Sequence, residues 1–503
     1  MQLPALLAAP FACALLVVAA PAQTIVNSGD DLVAIVAAAS SGDVLQINSN
    51  DVFVGLLDWT GKDLTFEAGP GYTPTLRGPD GNNCLQPTSG NPPTVGTFRG
   101  LRIEGGIPAP FEAFPLVAQA GPGADRITEL DFEECTFGGR PTFGGYGDSL
   151  VKAEFRECVF EDNFLAYGIK TAPLELVLED CVVTEVFQTL CTTIPLGGVQ
   201  QADVTLRRSL FGRGIELNAS SGGSLTVLAE SCVVDGDYED FTFVPYGVRV
   251  YADVVGSFSN LTVTGVTTGL QGQSGVTWHN LIVAGTFGAS MTGVDVANIS
   301  NSLIEDGTYD GLNGNFAASA HWDAQYQLIS CSAGLDVGDG AAPGLTGTDF
   351  NGKPRIQDND AIPGAIINVG ATEKTGTIPA AAVVENGSGV NPSSYIAGTL
   401  PSLGGTFDAL ILNPPGPTPV LTVIIADVAA PPTTSPLWTG ELMLALSGAA
   451  IYHYSPSAFH SMPVPSGCGL AGLVVPTQGF SVFDEGGVIV PKCHNRLDLT
   501  LGS

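Results

Sequence analysis

The chain has few charged residues, and basic residues are especially scarce. Only 14% of its 503 residues are charged, with 18 Lys and Arg against 50 Asp and Glu, so the formal net charge is −32. Binding to nucleic acid or anionic lipid requires Lys and Arg to replace counterions. We therefore expect neither partner. The composition is typical of a solvated acidic surface, and calcium capture by surface carboxylates is the alternative.

Signals of several other folds and sites are also missing. Spacings of the types Cys-x-x-Cys and His-x-x-x-His, which would indicate a structural zinc site, do not occur. Beyond the N-terminal segment, no apolar run is long enough to predict a membrane span. Only Asp31 to Ser40 has a helical period, over one or two turns. With 64 Gly and 35 Pro, the chain is predicted to be all-β.

The N-terminal segment is apolar and uncharged. No charged residue occurs from Leu3 to Ala20, and Ala20-Pro21-Ala22 has the small residues of a cleavage site. Residues 1–22 are therefore predicted to be a signal peptide, and the mature protein is predicted to be secreted, either extracellular or on the cell surface. Export permits disulfides. Cys468 and Cys493, the two cysteines nearest the C-terminus, are the expected pair.

A short phrase recurs at a fixed step in the first half of the chain. It reads Glu134-Cys135-Thr136-Phe137, then Glu157-Cys158-Val159-Phe160, then Asp180-Cys181-Val182-Val183. The cysteines are 23 residues apart twice over, from 135 to 158 and from 158 to 181. Each follows an alternating apolar run, and the cysteines are interpreted as small buried side chains. A period of this length, built on short strands, predicts a stacked solenoid.

The phrase continues on both sides with weaker lettering. Further anchors are Leu64-Thr65-Phe66, Leu101-Arg102-Ile103, Ser209-Leu210-Phe211, Cys232-Val233-Val234, Leu261-Thr262-Val263, Leu281-Ile282-Val283 and Ser302-Leu303-Ile304. The steps vary, which indicates loops of different length at the corners of similar coils. We predict a right-handed parallel β-helix over residues 23–372, with an N-terminal cap and a closing segment.

The proposed closing segment contains Leu335-Asp336-Val337-Gly338-Asp339, then Thr348-Asp349-Phe350-Asn351-Gly352-Lys353-Pro354-Arg355, then Gly364-Ala365. With these motifs it resembles the closing segment of secreted bacterial right-handed β-helix proteins with the pectin-lyase-like fold. The resemblance implies a structural lid on the last coil. In that lid Gly352 is expected to be left-handed and Arg355 to pair with a nearby carboxylate. The acidic residue usual before the Gly-Ala pair is displaced to Asp358 or Asp360.

The chain ends in Asn495-Arg496-Leu497-Asp498-Leu499-Thr500-Leu501-Gly502. This ending resembles that of a short C-terminal module shared by many large secreted bacterial proteins. The apolar runs Val420 to Ile425 and Leu442 to Leu446 suit a small β-sandwich over residues 402–503, after a linker at 373–401. The resemblance implies export and surface location, and it implies no chemistry.

Some β-helix proteins are polysaccharide lyases, which need a Lys or Arg base and carboxylates that hold calcium. Candidate catalytic residues are Lys152, Glu154, Arg156, Asp180 and Arg208. Arg213 and Arg249 are further candidate bases on the coils. The alternative is that opposite charges on adjacent exposed strands simply pair. The Gly-His-Gly and Arg-Ile-Lys motifs of polygalacturonases are absent.

Two other kinds of site are considered. Trp278, His279 and Trp322 are candidates for stacking on a sugar ring, and the alternative is that they are packed side chains. Asp237, Glu239, Asp240, Asp306 and Asp310 could supply oxygen ligands for Ca²⁺, although they do not match EF-hand spacing. Calcium is the one cofactor considered.

The leading interpretation is a non-catalytic, secreted or cell-surface protein with a structural, adhesive or carbohydrate-binding role. Its expected partners are polysaccharides or cell-envelope components. The alternative is a polysaccharide lyase, or another carbohydrate-active enzyme, that acts on the solenoid face at residues 152–213. The negative net charge argues against that alternative, since it would repel polyuronates.

Overall fold

The computed structural model describes most of the chain after residue 21. The described residues are 22–79, 84–85, 93–105, 117–118, 127–146, 150–169, 173–192, 201–220, 223–237, 244–272, 275–329, 332–343, 345, 347–355, 367–373, 378–413 and 415–503. The predicted signal peptide lies outside them, except for Ala22. Within these residues the regular structure is almost entirely strand, which confirms the predicted all-β class.

Three parallel sheets form the repetitive part of the chain. The first contains, in spatial order, Gln23–Val26, Asp43–Ile47, Asp63–Ala68, Thr94–Arg99, Ile127–Glu133, Leu150–Arg156, Leu174–Glu179, Gln201–Arg207, Ser224–Glu230, Val254–Ser259, Val276–His279 and Ile299–Ser300. The second contains Val52–Val54, Thr75–Arg77, Arg102–Glu104, Thr136–Gly138, Val159–Phe160, Val182–Val183, Leu210–Phe211, Val233–Asp235, Thr262–Thr264, Ile282–Val283 and Leu303–Ile304. The third contains Val117–Ala118, Thr142–Tyr146, Phe164–Ile169, Phe187–Thr192, Ile215–Ser220, Tyr246–Val250, Thr268–Gln271 and Met291–Thr292.

Spatial order follows chain order in each of these sheets. Strands one coil apart pair in parallel, as Leu150–Arg156 does with Ile127–Glu133 and with Leu174–Glu179. A chain that returns to the same sheet once per coil builds a parallel β-helix, so the predicted fold class is confirmed. One predicted anchor does not share the position of the others in its coil. Leu64 to Phe66 lies in the first sheet, and the matching second-sheet strand is Thr75–Arg77.

The chain divides into two compact units. The first unit is Met1–Val183, Gln188–Asp203 and Ser220–Ser224. The second unit is Thr184–Phe187, Val204–Ala219 and Leu225–Ser503. The domain boundaries predicted at residues 22, 372 and 401 stay predictions.

The predicted N-terminal cap contributes both a helix and strands. The helix spans Leu32–Ala38, and the Asp31 carboxylate accepts a hydrogen bond from the Ala34 N–H at 3.1 Å. Such an N-cap satisfies one of the free N–H groups of the first turn. The strands Gln23–Val26 and Asp43–Ile47, on either side of the helix, pair with each other in the first sheet. The cap is therefore also the first coil.

Stacked aromatic rings fill the core of the first unit. The rings of Phe66, Phe98, Phe132 and Phe155 follow one another at centroid distances of 4.8, 4.8 and 4.9 Å, and neighbouring rings are parallel within 14°. All four side chains are fully buried. The register places identical residues on adjacent strands directly over one another. Each such pair contributes about 0.5–1.5 kcal/mol beyond its area burial.

Nine of the corners between the first and second sheets contain one residue in the left-handed backbone region. The corner residues have φ between 45° and 64°, and they are Gly100, Glu134, Glu157, Asp180, Arg208, Ser231, Asn260, Asn280 and Asn301. Left-handed backbone is readily adopted by Gly and tolerated by Asn, and it is unfavourable for Glu. A cysteine follows four of these corners, Cys135, Cys158, Cys181 or Cys232, and all four are free and buried, as predicted for the first three.

The predicted disulfide between Cys468 and Cys493 is wrong. Cys468 is disulfide-bonded, whereas Cys493 is a free thiol that is 1% exposed. The Cys493 side chain packs in an apolar cluster with Val423 and Phe480, where it serves as a small hydrophobic residue. Disulfide connectivity cannot be deduced from the positions of cysteines in a sequence.

The closing segment, whose described residues include 335–343, 347–355 and 367–373, contacts the corners of the second unit, and from Asp339 to Thr348 it runs back along them. Asp339 exchanges hydrogen bonds with Asn280, of 2.7 and 2.9 Å. Further along, the Pro343 carbonyl accepts from the Ser259 hydroxyl at 2.6 Å, and Thr348 accepts from Arg208 at 3.2 Å. As the segment advances from 339 to 348, its partners retreat from 280 to 208. It is thus a strap across several coils and not the predicted lid on the last one.

A buried ion pair fastens this segment. Arg355 and Glu373 side chains are both 1% exposed, and Nη1 lies 2.6 Å from Oε1. Arg355 also donates to the Ser231 hydroxyl at 2.7 Å and to the Ala371 carbonyl at 3.1 Å. The predicted pairing of Arg355 with a carboxylate is therefore confirmed, and so is the left-handed Gly352, with φ of 70°. Gly364, Ala365, Asp358 and Asp360 lie outside the described residues.

The C-terminal part consists of antiparallel sheets. In spatial order the largest has strands Ala381–Glu385, Ile489–Thr500, Val474–Asp484, Leu421–Ala426 and Ile451–Ser455; a second has Tyr395–Ala397, Thr406–Ile411 and Phe459–Pro463; a third has Ala429–Thr433 and Leu442–Leu444. Apolar clusters lie on the two faces of the largest sheet, around Ile424 and around Val423. The segment 373–401, predicted as a linker, supplies two of these strands. The strand Ala381–Glu385 shows little alternation of buried and exposed residues, since the adjacent Val383 and Val384 are both exposed.

Candidate functional site

The predicted catalytic residues of the first sheet do form a row on its outer face. Lys152, Glu154 and Arg156 alternate with buried residues along one strand, as expected for period two. The neighbouring strands place Glu129 and Glu175 on either side of Lys152. Lys152 and Glu154, together with Glu129 and Glu175, line a shallow depression of about 450 Å³. A basic residue surrounded by carboxylates is thus present on this face.

Each basic residue in this row is paired with a carboxylate. Lys152 Nζ lies 3.2 Å from Glu175, and Arg156 lies 2.7 Å from Glu154 and 3.4 Å from Asp131. The side chains are between 36% and 47% exposed, so each pair contributes about 0.2–1 kcal/mol. The hydrogen bond from Arg156 to Glu154 raises the pKa of Arg156. A raised pKa keeps the guanidinium protonated, and a protonated group cannot accept a proton, so the arrangement favours paired charges over a catalytic base.

The other two catalytic candidates lie at corners. Asp180 is an exposed corner residue with φ of 55°. Arg208 is a corner residue with φ of 45° that donates to Thr348 of the closing segment. Neither belongs to a first-sheet strand, so they do not extend the row that contains Lys152.

The structure places the three aromatic and histidine candidates in or beside the core. Trp278 is fully buried and stacks on Phe258 with a centroid distance of 4.5 Å, so its indole has no face open to a ligand. His279 is half-buried, its Nδ1 is 2.9 Å from the Ser300 hydroxyl, and burial lowers its pKa. Trp322 is half-buried and packs against an apolar cluster of the last coils.

The calcium candidates do not converge in the part of the chain that the structure describes. The Asp306 carboxylate accepts hydrogen bonds from the Ser290 and Thr308 backbones at 2.8 and 2.9 Å, and these bonds outweigh burial and lower its pKa. The Asp310 carboxylate accepts from the Ala317 N–H at 2.9 Å. Asp237 is exposed. Among described residues no group of three or more His, Cys, Asp or Glu could hold a metal ion. Glu239 and Asp240 lie outside the described residues.

An ion network that the sequence did not reveal lies on the second sheet of the first unit. Arg102 contacts Glu161 through two hydrogen bonds of 2.8 and 2.5 Å, and it also contacts Glu104 at 2.6 Å. These hydrogen bonds raise the pKa of Arg102. Gly138 occupies the coil between, and a Cβ there would meet the Arg102 guanidinium at 2.9 Å. Because this glycine leaves a gap, Arg102 can reach across a whole coil.

A second depression lies on the third sheet of the second unit, with a volume of about 190 Å³. Its walls combine apolar and charged side chains, among them Val186, Arg213, Glu216, Val244, Tyr246 and Arg249. Glu216 and Arg249 are directly opposite one another on adjacent strands. Apolar walls with a few converging polar groups are the usual composition of a small-molecule site.

Arg249 is held between two tyrosine rings at this depression. Its guanidinium carbon lies 4.6 Å from the centre of the Tyr246 ring and 4.5 Å from that of Tyr251. The Tyr251 hydroxyl donates to Glu216 at 2.7 Å, and burial together with this bond raises the pKa of Tyr251 to about 12. The Glu216 and Arg249 charges are 3.8 Å apart. Two cation–π contacts fix the guanidinium, and each contributes about 0.5–2 kcal/mol.

Sequence reasoning identified only part of this second site. Arg213 and Arg249 were among the candidate bases, but Tyr246, Tyr251 and Glu216 were not singled out. The available signal was the pair Arg249 and Tyr251, two residues apart, whereas Tyr246 is three residues from Arg249 and breaks the alternation. This signal was missed because the third-sheet strands lack the repeated sequence motif that marks the corners between the first and second sheets.

Comparisons with known proteins add no family to these observations. Within the described residues, no helix has the length and hydropathy needed to cross a membrane. No model of a known protein family matches the chain, and a search of curated proteins finds no match.

Proposed function

We propose that the protein is secreted, that its parallel β-helix is right-handed and pectin-lyase-like, and that it binds carbohydrate without catalysis. Export through a signal peptide at residues 1–22 and a place at the cell surface belong to this proposal. It is supported by the apolar N-terminus, the acidic composition and the resemblance of the closing and C-terminal segments to secreted proteins. A structural or adhesive role follows if the bound glycan belongs to a cell envelope.

The observation that carries the proposal is the setting of Arg249. A guanidinium fixed between two aromatic rings can donate hydrogen bonds to sugar hydroxyls without losing side-chain entropy on binding. Glu216, opposite Arg249, can accept hydrogen bonds from the same sugar. Val186 and Val244 supply an apolar wall for the C–H face of the ring. Arg213 is paired with Glu185 at 2.6 Å, so two basic and two acidic groups meet here, and this balance suits a hydroxyl-rich ligand better than a highly charged one.

The second candidate function is a polysaccharide lyase on the first-sheet face. The depression of about 450 Å³ beside Lys152 favours it. The pairing of Lys152 with Glu175, and of Arg156 with Glu154 and Asp131, argues against it. A base must lose its proton to act, and neighbouring carboxylates stabilise the protonated form.

One experiment separates the two functions. The mature protein is incubated with neutral and anionic polysaccharides in the presence of calcium. New reducing ends, ultraviolet-absorbing unsaturated ends and retention of protein on insoluble glycan are measured together. We expect retention without new ends, and we expect Arg249→Ala to weaken binding about tenfold.

The matched control is Arg99→Ala, which removes an arginine from an exposed ion pair with Glu133. It should leave retention unchanged. New ends that are lost in Lys152→Ala would establish the lyase and overturn the proposal. Retention that survives Arg249→Ala unchanged would remove this depression as the binding site.

A further inference from the structure

Two tyrosines lie side by side on the outermost strand of the largest C-terminal sheet. The strand Ile451–Ser455 is last in the sheet order and pairs with Leu421–Ala426. The rings of Tyr452 and Tyr454 are 6.2 Å apart between centroids and parallel within 10°. They are 46% and 60% exposed. Residues two apart on a strand point to the same face, so the two rings form one surface.

The sheet beneath this surface is otherwise covered. Tyr454 is directly opposite Val423, and Tyr452 is directly opposite Ile425. Val423 and Ile425 are buried in an apolar cluster that includes Leu442 and Leu444 of the two-stranded sheet. The two tyrosines therefore lie on the same face of the sheet as that cluster, at its solvent-exposed edge. An apolar core face that ends in exposed, polar-tipped rings is suited to an amphipathic ligand.

This surface lies in an uncharged stretch of an acidic protein. From Leu442 to Phe483 the sequence contains no Asp, Glu, Lys or Arg, although the chain as a whole has a net charge of −32. The stretch is rich in hydroxyl and aromatic side chains instead. No charge on the strand itself can pair with a uronate, sulfate or phosphate group. The chemistry fits a neutral ligand with many hydroxyl groups.

The strand is held firmly on its other face. His453, between the tyrosines, has its Nδ1 3.0 Å from Nδ1 of His460. The His460 Nε2 lies 2.9 Å from the Thr422 hydroxyl. The single proton of the Thr422 hydroxyl is donated to a backbone carbonyl, that of Ser457 at 2.5 Å or that of Ser455 at 3.2 Å, so the Nε2 atom of His460 must donate to Thr422. These bonds fix the strand, and tyrosine itself loses little rotamer freedom on binding.

From these observations we propose that Tyr452 and Tyr454 form a second carbohydrate-binding site, specific for a neutral polysaccharide chain. Successive sugar residues pack their C–H faces on the two rings, and the tyrosine hydroxyls meet sugar hydroxyls. A glycan is favoured over strand pairing with a second copy. The strand has only five residues and is followed directly by Pro456, and short edges next to proline resist edge-to-edge pairing. The site uses different residues from the depression at Arg249, so either can exist without the other.

The test uses the full mature chain and depletion onto three insoluble neutral probes, cellulose, a β-1,3-glucan and chitin. All measurements are made in the Arg249→Ala background so that the other proposed site does not contribute. We expect at least one probe to retain this protein, and we expect Tyr452→Ala with Tyr454→Ala to weaken that retention about tenfold or more. The Tyr452→Phe, Tyr454→Phe variant should keep most of the binding, because the ring faces remain.

Leu437→Ala is the matched control, since Leu437 is a 74% exposed apolar residue of the same part of the chain. It should not change retention. Soluble polygalacturonate should not compete, whereas a soluble neutral oligosaccharide of the retained probe should. Retention equal in the double alanine variant and its parent overturns the proposal, as does competition by polygalacturonate alone. Failure of all three probes to bind also overturns it, and concentration-dependent dimerisation lost in the same variant would assign the surface to a second copy.

Discussion

The guanidinium of Arg355 and the carboxylate of Glu373 meet at 2.6 Å where both side chains are 1% exposed. Burial raises the pKa of Glu373 to about 7, although Arg355 acts in the opposite direction. The Glu373 carboxylate and the Glu373 backbone N–H each have a further hydrogen-bond partner. Asn368 N–H donates to its second oxygen at 2.9 Å, and the Glu373 N–H donates to Asp349 at 2.8 Å. This network joins the two parts of the closing segment.

Arg355→Ala should destabilise the protein strongly. It leaves Glu373 buried without its partner, a change that typically lowers the free energy of unfolding by about 3–5 kcal/mol. Denaturant unfolding of the purified mature chain measures the effect. Arg99→Ala, from a half-exposed pair, should change it by less than about 1 kcal/mol. The combined Arg355→Met and Glu373→Met variant should be more stable than Arg355→Ala, and a double variant that is worse would contradict a role for unpaired charge.

Glu157→Gly should stabilise the coils. Glu157 adopts φ of 54°, and its side chain is exposed. A left-handed conformation costs an L-residue roughly 1–2 kcal/mol and glycine almost nothing, so a gain of about 1 kcal/mol is expected after the entropy of glycine is counted. Thermal and denaturant unfolding measure it. Val159→Gly, two residues on in an extended strand, should destabilise, and a gain at both positions would mean that the corner is not the cause.

Thiol labelling should distinguish Cys493 from Cys468. Burial raises the pKa of Cys232 and Cys493 to about 12, so few thiolates form and little reagent reaches them at neutral pH. We expect iodoacetamide to label neither Cys232 nor Cys493 rapidly in the native protein. In denaturant without reductant Cys493 should be labelled, whereas Cys468 should react only after reduction. Mass spectrometry of peptides measures the labelling of Cys493 and Cys468. If Cys493 were protected from labelling in denaturant, the predicted disulfide between Cys468 and Cys493 would be supported after all.

His494 should make the C-terminal part sensitive to acid. Burial lowers its pKa to about 4. Its Nδ1 lies 2.6 Å from the Ser394 hydroxyl and its Nε2 lies 2.8 Å from that of Ser481. The unfolded chain takes up a proton near pH 6.5, so this group's contribution is complete above that pH and is lost as the pH falls toward 4.

The loss over that interval amounts to about 3 kcal/mol at most. Unfolding free energies of the parent and of His494→Gln, measured from pH 7 to 4, should converge as the pH falls. A constant difference across this range would show that His494 does not titrate with folding. His460, with a pKa also lowered to about 4 by burial and by His453, should behave in the same way.

Much of the coil architecture could be predicted from the sequence because local constraints repeat. The period of the cysteine phrase indicated both the register and the burial of Cys135, Cys158 and Cys181, since one inward position recurs in every coil. Trp278 shows how a small error in alternation changes the outcome. Val276 and Trp278 point inward while Thr277 and His279 are half-buried on the outer face, and a shift of one residue exchanges the two faces.

The path of the closing segment could not be predicted in this way. Its Gly-Ala pair was assigned to Gly364-Ala365, whereas the carboxylate that pairs with Arg355 is Glu373, after Gly370 and Ala371. The resemblance indicated that Arg355 needs a carboxylate, but not which one. The contact from Arg355 to Ser231 spans 124 residues, and no local pattern specifies such a pairing. The site at Arg249 was identified only in part, since Glu216, which lies opposite Arg249, belongs to a different coil.

The backward course of the closing segment also sets the order in which the second unit can be completed. Arg208 meets Thr348 across a sequence separation of 140 residues, and Asn280 meets Asp339 across 59. During synthesis, which begins at the N-terminus, the chain can therefore form these coils long before the residues that contact their corners have been made. Until then water must satisfy the polar groups at the corners, because their partners are absent. Contacts between such distant residues form late because closing a long loop costs conformational entropy. Thr348 follows Asp339 in the chain although its partner Arg208 belongs to an earlier coil than Asn280, so this part of the segment can dock only on coils that are already built.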